Sequence, residues 1–154
     1  MDADAEVQEL MAALRAPDPC LQQDIRWSLI KLGPKAAPAV ESLERVLSGG
    51  PDDACATTAM LLHDIGPAAA RAVPALVERL DRSCRLPNRP KDVPYAVQAL
   101  LRIGCRDARL PNILITLLPT GEDEFPFDSV GIQLLGLQGP SAAEAEPLLR
   151  RYLE

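Results

Sequence analysis

The sequence predicts an all-α fold, a right-handed solenoid of about four helix pairs preceded by one amino-terminal capping helix. A leucine-rich pattern recurs at a fixed period, which equals the step from Gly33-Pro34 to Gly66-Pro67, and a regular period of this size indicates a repeat array. Aromatic residues form only 3% of the chain, whereas the helix formers Leu and Ala dominate its hydrophobic 47%. Most of the prolines fall at turns or in first helical turns, where the missing N–H is tolerated.

The period defines one domain over residues 1–154, with a half-repeat at 4–15 and four repeats at about 19–48, 52–82, 93–118 and 128–154. The half-repeat is an amphipathic helix whose apolar face carries Val7, Leu10, Met11 and Leu14. Because its other face is acidic, we expect this helix to cap the array and keep it from extending.

Each full repeat is predicted to hold a first helix and a second helix. In the first repeat these run from about Cys20 to Leu32 and from about Lys35 to Ser48, separated by Gly33-Pro34. Glycine can adopt the left-handed conformation that ends a helix, and proline cannot continue it. The other predicted pairs are 54–65 with 69–82, 93–103 with 108–118, and 129–138 with 142–153.

The pattern L-x-x-[IL]-G-P-x-A-A-x-A-V-x-x-L-x-x-x-L is carried by Leu29–Leu47 and Leu62–Leu80, and in weaker form by Leu100–Leu118 and Leu135–Leu153. This pattern resembles the short bacterial HEAT-like repeats that are also found in phycobilin lyases. Ile25-Arg26 is similar to the hydrophobic-arginine pair of the family's first helix. The resemblance implies that second helices line the concave side of a solenoid and that the fold provides a binding surface rather than a reaction.

Charge and composition exclude several classes of partner. A net charge of −6 and a pI near 4.8 argue against binding to nucleic acid or to an anionic membrane. The apolar runs are too short to span a bilayer, and the acidic amino terminus lacks a signal peptide's basic start, so we expect a cytoplasmic protein without a membrane partner. The four cysteines show no C-x-x-C spacing, which predicts reduced thiols and no cofactor.

A binding surface for a protein or peptide is predicted on the second helices. Positions outside the core stripe there are Glu41, Glu44, Arg45, Pro74, Val77, Glu78, Asn112, Ile115, Thr116, Pro147, Arg150 and Arg151. The row Glu44, Val77, Ile115, Arg150 has an apolar middle between charged ends. With Ile113 beside it, this row resembles a hydrophobic patch with a polar rim. The alternative is that the third repeat rotates and buries Ile113 and Ile115.

Two long connections carry opposite charges. The acidic loop 119–128 contains Phe125 and Phe127, which either fill the gap between the third and fourth repeats or form an aromatic anchor suited to a basic peptide. The basic loop 81–92 contains Arg82, Arg85, Arg89 and Lys91. These cations either pair with the acidic loop, bind an anionic partner or remain solvated.

Few residues suggest catalysis. His63 is the only histidine, and since its equivalents Ile30, Leu101 and Gly136 are not polar, a partly buried structural role is expected. No Ser-His-Asp or Cys-His-Asn set can be assembled around it. A metal site of Cys20, Cys55 and Cys84 would lack a fourth ligand. Trp27 is expected to pack against the amino-terminal helix, with a contact on the convex side as the alternative.

The sequence therefore predicts a non-enzymatic interaction or scaffold module that binds a protein or peptide on its concave face. One alternative is a catalytic HEAT-like protein: phycobilin lyases handle a tetrapyrrole, and HEAT-like alkylpurine glycosylases handle damaged DNA. A glycosylase would need a basic concave face, which the acidic composition disfavours. The other alternative is a structural subunit that forms a homodimer through its last helix, where Leu149 and Leu153 lack a following repeat.

Overall fold

A computed structural model of the chain describes residues 19–86, 90, 92–117, 128–147 and 150. Within these residues the chain is helical and contains no strand, so the predicted all-α class is confirmed for them. The predicted half-repeat 4–15, the pair Phe125 and Phe127, the cations Arg89 and Lys91, and residues 151–154 lie outside the described residues.

The described elements alternate between α-helices and shorter 3-10 helices. The α-helices are α1 (Pro19–Leu32), α2 (Val40–Gly49), α3 (Asp52–Ile65), α4 (Val73–Cys84), α5 (Val93–Ile103), α6 (Leu110–Leu117) and α7 (Asp128–Leu137). The 3-10 helices are η1 (Gly33–Ala39), η2 (Gly66–Ala72) and η3 (Gly139–Ala145). None of the helices within these residues is both long enough and apolar enough to cross a membrane.

The second helices begin later than the sequence predicted. In place of an α-helix from Lys35, a 3-10 helix follows from Gly33, and α2 starts only at Val40. Gly33 has a φ of 50°, which turns the chain sharply, and Pro38 cannot donate the backbone hydrogen bond that an α-helix requires. The same change occurs before Val73, so the tight turn belongs to the Gly-Pro segments.

Contacts between the helices form two rows. The first helices touch in order, α1 with α3, α3 with α5 and α5 with α7. The second helices do the same, α2 with α4 and α4 with α6, and η1 packs on η2. Each helix therefore covers the equivalent helix of the next pair.

The core lies between the two rows. Leu43, Leu47, Leu76 and Leu80 are all at most 1% exposed, which confirms the core positions that the repeat period predicted for α2 and α4. Val46, which lies between these leucines on α2, is only half-buried. Burial of each such leucine contributes about 1.5–3 kcal/mol to folding. The leucines thus fix which faces of the helices remain on the surface.

Candidate functional site

The apolar patch predicted on the second helices is not exposed. Val77 is 0% exposed and Ile113 is 5% exposed, while Ile115 is half-buried against the core. The reason is that α4 contacts α2, α5 and α6, so the stripe that it buries is wider than the leucine spacing alone suggests. Val77 therefore belongs to the core and cannot bind a partner from this position.

Charged residues that remain on the second helices pair with one another. Glu41 Oε1 accepts a hydrogen bond from Arg45 Nη2 at 2.7 Å. Arg71 of η2 lies 3.8 Å from Glu41 and 3.5 Å from the carboxylate of Glu44. The predicted site residues Glu41, Glu44 and Arg45 are thus brought together. Exposed pairs of this kind contribute at most about 1 kcal/mol each.

The same self-pairing continues along the second helices. Arg109 binds Asp107 at 3.0 Å and is attracted by Glu78, and its hydrogen bonds hold the pKa of the Asp107 carboxyl below the usual range. Arg150 pairs with Glu146 at 2.7 Å. The exposed Thr116 hydroxyl donates to the backbone carbonyl of Asn112 at 2.8 Å. Most of the charged residues described on this surface therefore already have a partner.

Two basic residues of the predicted loop 81–92 have structural partners. Arg82 donates to the carbonyls of Leu47 and Ser48 at the end of α2, at 3.3 and 3.2 Å. Arg85 pairs with Asp81 at 2.7 Å, one helical turn away in sequence. A cation at a helix C-terminus stabilises the helix dipole, so Arg82 holds α2 and α4 together in the described structure.

Cys55, Cys84 and Cys105 are thiols that are at least partly shielded from solvent. Cys55 and Cys105 are buried and Cys84 is half-buried. Burial raises the pKa of the Cys55 thiol and raises that of Cys105 to about 11. Because the thiolate is the reactive form, both are poor nucleophiles near neutral pH. Among the described residues, no group of three His, Cys, Asp or Glu side chains is placed to hold a metal ion.

A groove on the surface is lined by residues of three first helices. It has a volume of about 580 Å³ and is lined by His63 of α3, Gln98, Leu101 and Arg102 of α5, and Val130 of α7. The His63 and Leu101 positions are equivalent in the repeat register, and the direct contacts of α3 with α5 and of α5 with α7 bring them to one groove. This groove is the candidate functional site.

His63 and Arg102 supply two polar groups to the groove. His63 Nδ1 lies 3.1 Å from Asp64 Oδ1, and the His63 side chain is 41% exposed. The Arg102 guanidinium lies beside Gly66, since a Cβ built there would be 3.9 Å from Arg102 Nε. Gly66 ends α3, where helix carbonyls concentrate partial negative charge. Arg102 forms no ion pair with a carboxylate in the described part of the chain.

Large apolar side chains are also exposed on the first helices. Among the described residues, four large hydrophobic side chains are exposed, and three of them lie on first helices: Trp27 at 55%, Met60 at 41% and Tyr95 at 37%. Met60 precedes His63 by three residues on α3 and Tyr95 precedes Gln98 by three on α5, a spacing that places each pair on one helical face. The first-helix surface thus combines exposed apolar groups with the groove.

Sequence reasoning missed this site because it assigned His63 a structural role. Trp27, which was expected to pack against the amino-terminal helix, is more than half exposed. One signal was available: Trp27 and Met60 lie one repeat period apart, so the register places two large apolar residues at the same outer position. The groove itself depends on side chains from three helices and had no sequence signature.

Comparisons of the chain with protein-family models, with curated proteins and with solved structures find no match. The resemblance to HEAT-like repeats therefore stays a prediction, and the candidate site is argued from its own geometry.

Proposed function

We propose that this chain is a HEAT-like repeat module, a right-handed solenoid of about four helix pairs, that binds a protein or peptide partner and catalyses no reaction. The two rows of helix contacts, α1–α3–α5–α7 and α2–α4–α6, support the solenoid arrangement, because in such arrays each repeat packs only on its neighbours. The function assigned to it is recognition by an exposed helix surface.

We place the binding surface on the first helices rather than on the second helices of the original prediction. The observation that carries this choice is the exposure of Trp27, Met60 and Tyr95 on the first helices. Aromatic residues and methionine are enriched at protein interfaces, and tryptophan and tyrosine dominate their binding energy. In contrast, Val77 is buried, and Glu41, Glu44 and Arg45 are already paired.

The composition of the groove supports binding over catalysis. His63 is oriented by Asp64, as a general base would be, but the described residues that line the groove include no serine, threonine or cysteine that such a base would activate. The catalytic alternatives make different predictions. A pigment lyase should co-purify with its pigment, and a DNA glycosylase should act on damaged DNA. The homodimer alternative uses Leu149 and Leu153, which lie outside the described residues.

The proposal is tested by affinity capture from the native lysate followed by direct titration with the purified captured protein. Three baits are compared: wild type, Trp27→Ala/Met60→Ala on the first helices, and Glu41→Ala/Arg45→Ala on the second helices. Circular dichroism melts establish that all three are equally folded. We expect one protein to bind wild type and the second-helix variant alike, and the first-helix variant to bind at least about tenfold more weakly, because loss of a hot-spot residue costs about 2 kcal/mol or more.

Three results would contradict this function. Loss of binding in the second-helix variant alone would return the site to the surface first predicted. Co-purification of a pigment or nucleic acid in place of a protein would favour the catalytic alternatives. A dimer in light scattering that the Trp27→Ala/Met60→Ala variant dissociates would show that the exposed apolar surface is covered by a second copy.

A further inference from the structure

We propose that the groove lined by His63, Gln98, Leu101, Arg102 and Val130 receives an aspartate or glutamate side chain of the partner, with Arg102 as its ionic anchor. This inference rests on the proposed binding function and specifies the chemistry of the bound segment. It concerns a site that neither the sequence pattern nor the repeat resemblance indicated.

Unlike most of the other described arginines, Arg102 has no carboxylate partner among the described residues. Arginines that pair with a carboxylate or with helix carbonyls are Arg45, Arg71, Arg79, Arg82, Arg85, Arg109 and Arg150. Arg102 is exposed and lines a groove. Asp64, near the end of α3, pairs with His63 and not with Arg102. No group among the described residues occupies the hydrogen-bond donors of the Arg102 guanidinium, which leaves them for a ligand.

A carboxylate is the ligand that this geometry favours. The planar guanidinium can donate two parallel hydrogen bonds to the two oxygens of a carboxylate, and such bonds are stronger than those between neutral groups. A phosphate would carry about −1.5 to −2 charges, but the groove offers one arginine in a chain whose net charge is −6. A basic segment would be repelled by Arg102. Charge complementarity thus selects a singly charged acidic side chain.

The rest of the groove fits a side chain carried by a polypeptide. An ionised carboxylate only accepts hydrogen bonds, so His63 donates Nδ1–H to Asp64, and Nε2 has no partner in the described structure. The Gln98 amide can both donate to and accept from a peptide group. Leu101 and Val130 provide apolar walls, and Met60 is exposed on the same face of α3. An acidic residue flanked by apolar residues satisfies each of these groups.

The test uses two matched probes, acetyl-Leu-Asp-Leu-amide and acetyl-Leu-Asn-Leu-amide, titrated into the uniformly ¹⁵N-labelled full chain and followed by amide NMR shifts. We expect the aspartate probe to shift amides around His63, Gln98 and Arg102, and to bind about tenfold more tightly than the asparagine probe, as one charge-assisted hydrogen-bond pair provides. Arg102→Gln should remove this preference. Arg106→Gln, the control at an exposed arginine outside the groove, should retain it.

The inference is overturned if the two probes bind wild type equally, if neither shifts any amide, if the shifts lie outside the groove, or if Arg106→Gln abolishes the preference while Arg102→Gln keeps it. These results are distinct from failure of the proposed function. Capture that depends on Trp27 and Met60, without any aspartate preference, would sustain the binding function and remove the carboxylate pocket. An aspartate preference with no captured protein would sustain the carboxylate pocket and remove the binding function.

Discussion

Arg79 of α4 donates through Nε to the carboxylate of Asp92 at 2.8 Å, and the Asp92 side chain is only 1% exposed. Arg79 Nη2 also contacts Asp92 at 3.3 Å and binds Asp52 at the start of α3. The hydrogen bond to Asp92 is the main cause that raises the pKa of Arg79. One guanidinium thus joins the beginning of α3, the middle of α4 and the residue before α5.

Removal of the buried carboxylate should destabilise the protein strongly. In Asp92→Ala the Arg79 guanidinium, itself 12% exposed, keeps only the exposed Asp52 as a partner. Breaking a buried pair costs about 3–5 kcal/mol, and because the pair with Asp52 remains, we expect a loss of about 3 kcal/mol in urea unfolding. The control is Asp81→Ala, which removes the exposed pair with Arg85 and should change stability by less than about 1 kcal/mol. Equal effects of the two variants would show that the buried pair is not special.

Two glycine-to-alanine substitutions should act in opposite directions. Gly66 has a φ of 69°, a conformation that costs alanine about 1–2 kcal/mol, and its added Cβ would meet Arg102 Nε at an ordinary contact distance of 3.9 Å. Gly136 lies within α7 with no atom within 4 Å of an added Cβ, so alanine there should stabilise by about 0.5–1 kcal/mol. Thermal unfolding of both variants checks the pair. Stabilisation by Gly66→Ala would contradict the left-handed turn after α3.

Low pH should lower the folding stability of the protein, in part through protonation of Asp107. Hydrogen bonds from Arg109 lower the pKa of Asp107 below its usual 3.8, so the native state holds this proton less tightly than the unfolded state. The resulting stabilisation is present above pH 3.8 and is lost as pH falls through the lowered native pKa. In Asp107→Asn, this part of the acid sensitivity should disappear, as measured by unfolding at a series of pH values. An unchanged pH dependence would exclude the contribution.

Cys105 should resist alkylation in the native protein. Its pKa is raised from 9.0 to about 11 by burial, so near neutral pH the native thiol is almost entirely protonated and shielded. We expect iodoacetamide labelling, followed by peptide mass spectrometry, to be fast in urea and slow in buffer. Since the native state keeps the proton longer, its stability should decline between pH 9.0 and about pH 11. Rapid native labelling of Cys105 near neutral pH would contradict its burial.

The sequence was informative wherever one residue type repeats at helical spacing. Leu43 and Leu76, equivalent positions one repeat period apart, are both buried as predicted. The spacing could not give the width of the buried stripe, because that width depends on how many neighbouring helices cover a helix. Val77 was therefore predicted on the surface, whereas it lies in the core. The continuous second helix from Lys35 was wrong because the Gly-Pro turn and Pro38 together favour 3-10 geometry.

The candidate site was less predictable for a physical reason. His63, Arg102 and Val130 come from α3, α5 and α7, and their meeting depends on how three helices are offset along their axes. The step along the chain from His63 to its equivalent Leu101 is longer than the step from Leu43 to Leu76, so simple periodicity does not align them. Exposure of Trp27 and Met60 was the part that their common register could have revealed.

The contact between η1 and η2 has a mechanical consequence. Its buried side chains are the alanines Ala36, Ala39, Ala69 and Ala72, each at most 1% exposed, and alanine has no side-chain rotamer to change. This junction therefore cannot adapt by a change of side-chain rotamer and should resist compression. Elastic bending of the molecule should be taken up between the long helices, where leucine side chains can change conformation while staying packed. A partner that bends the array would do so by shifting α3 against α5, which changes the width of the groove between them.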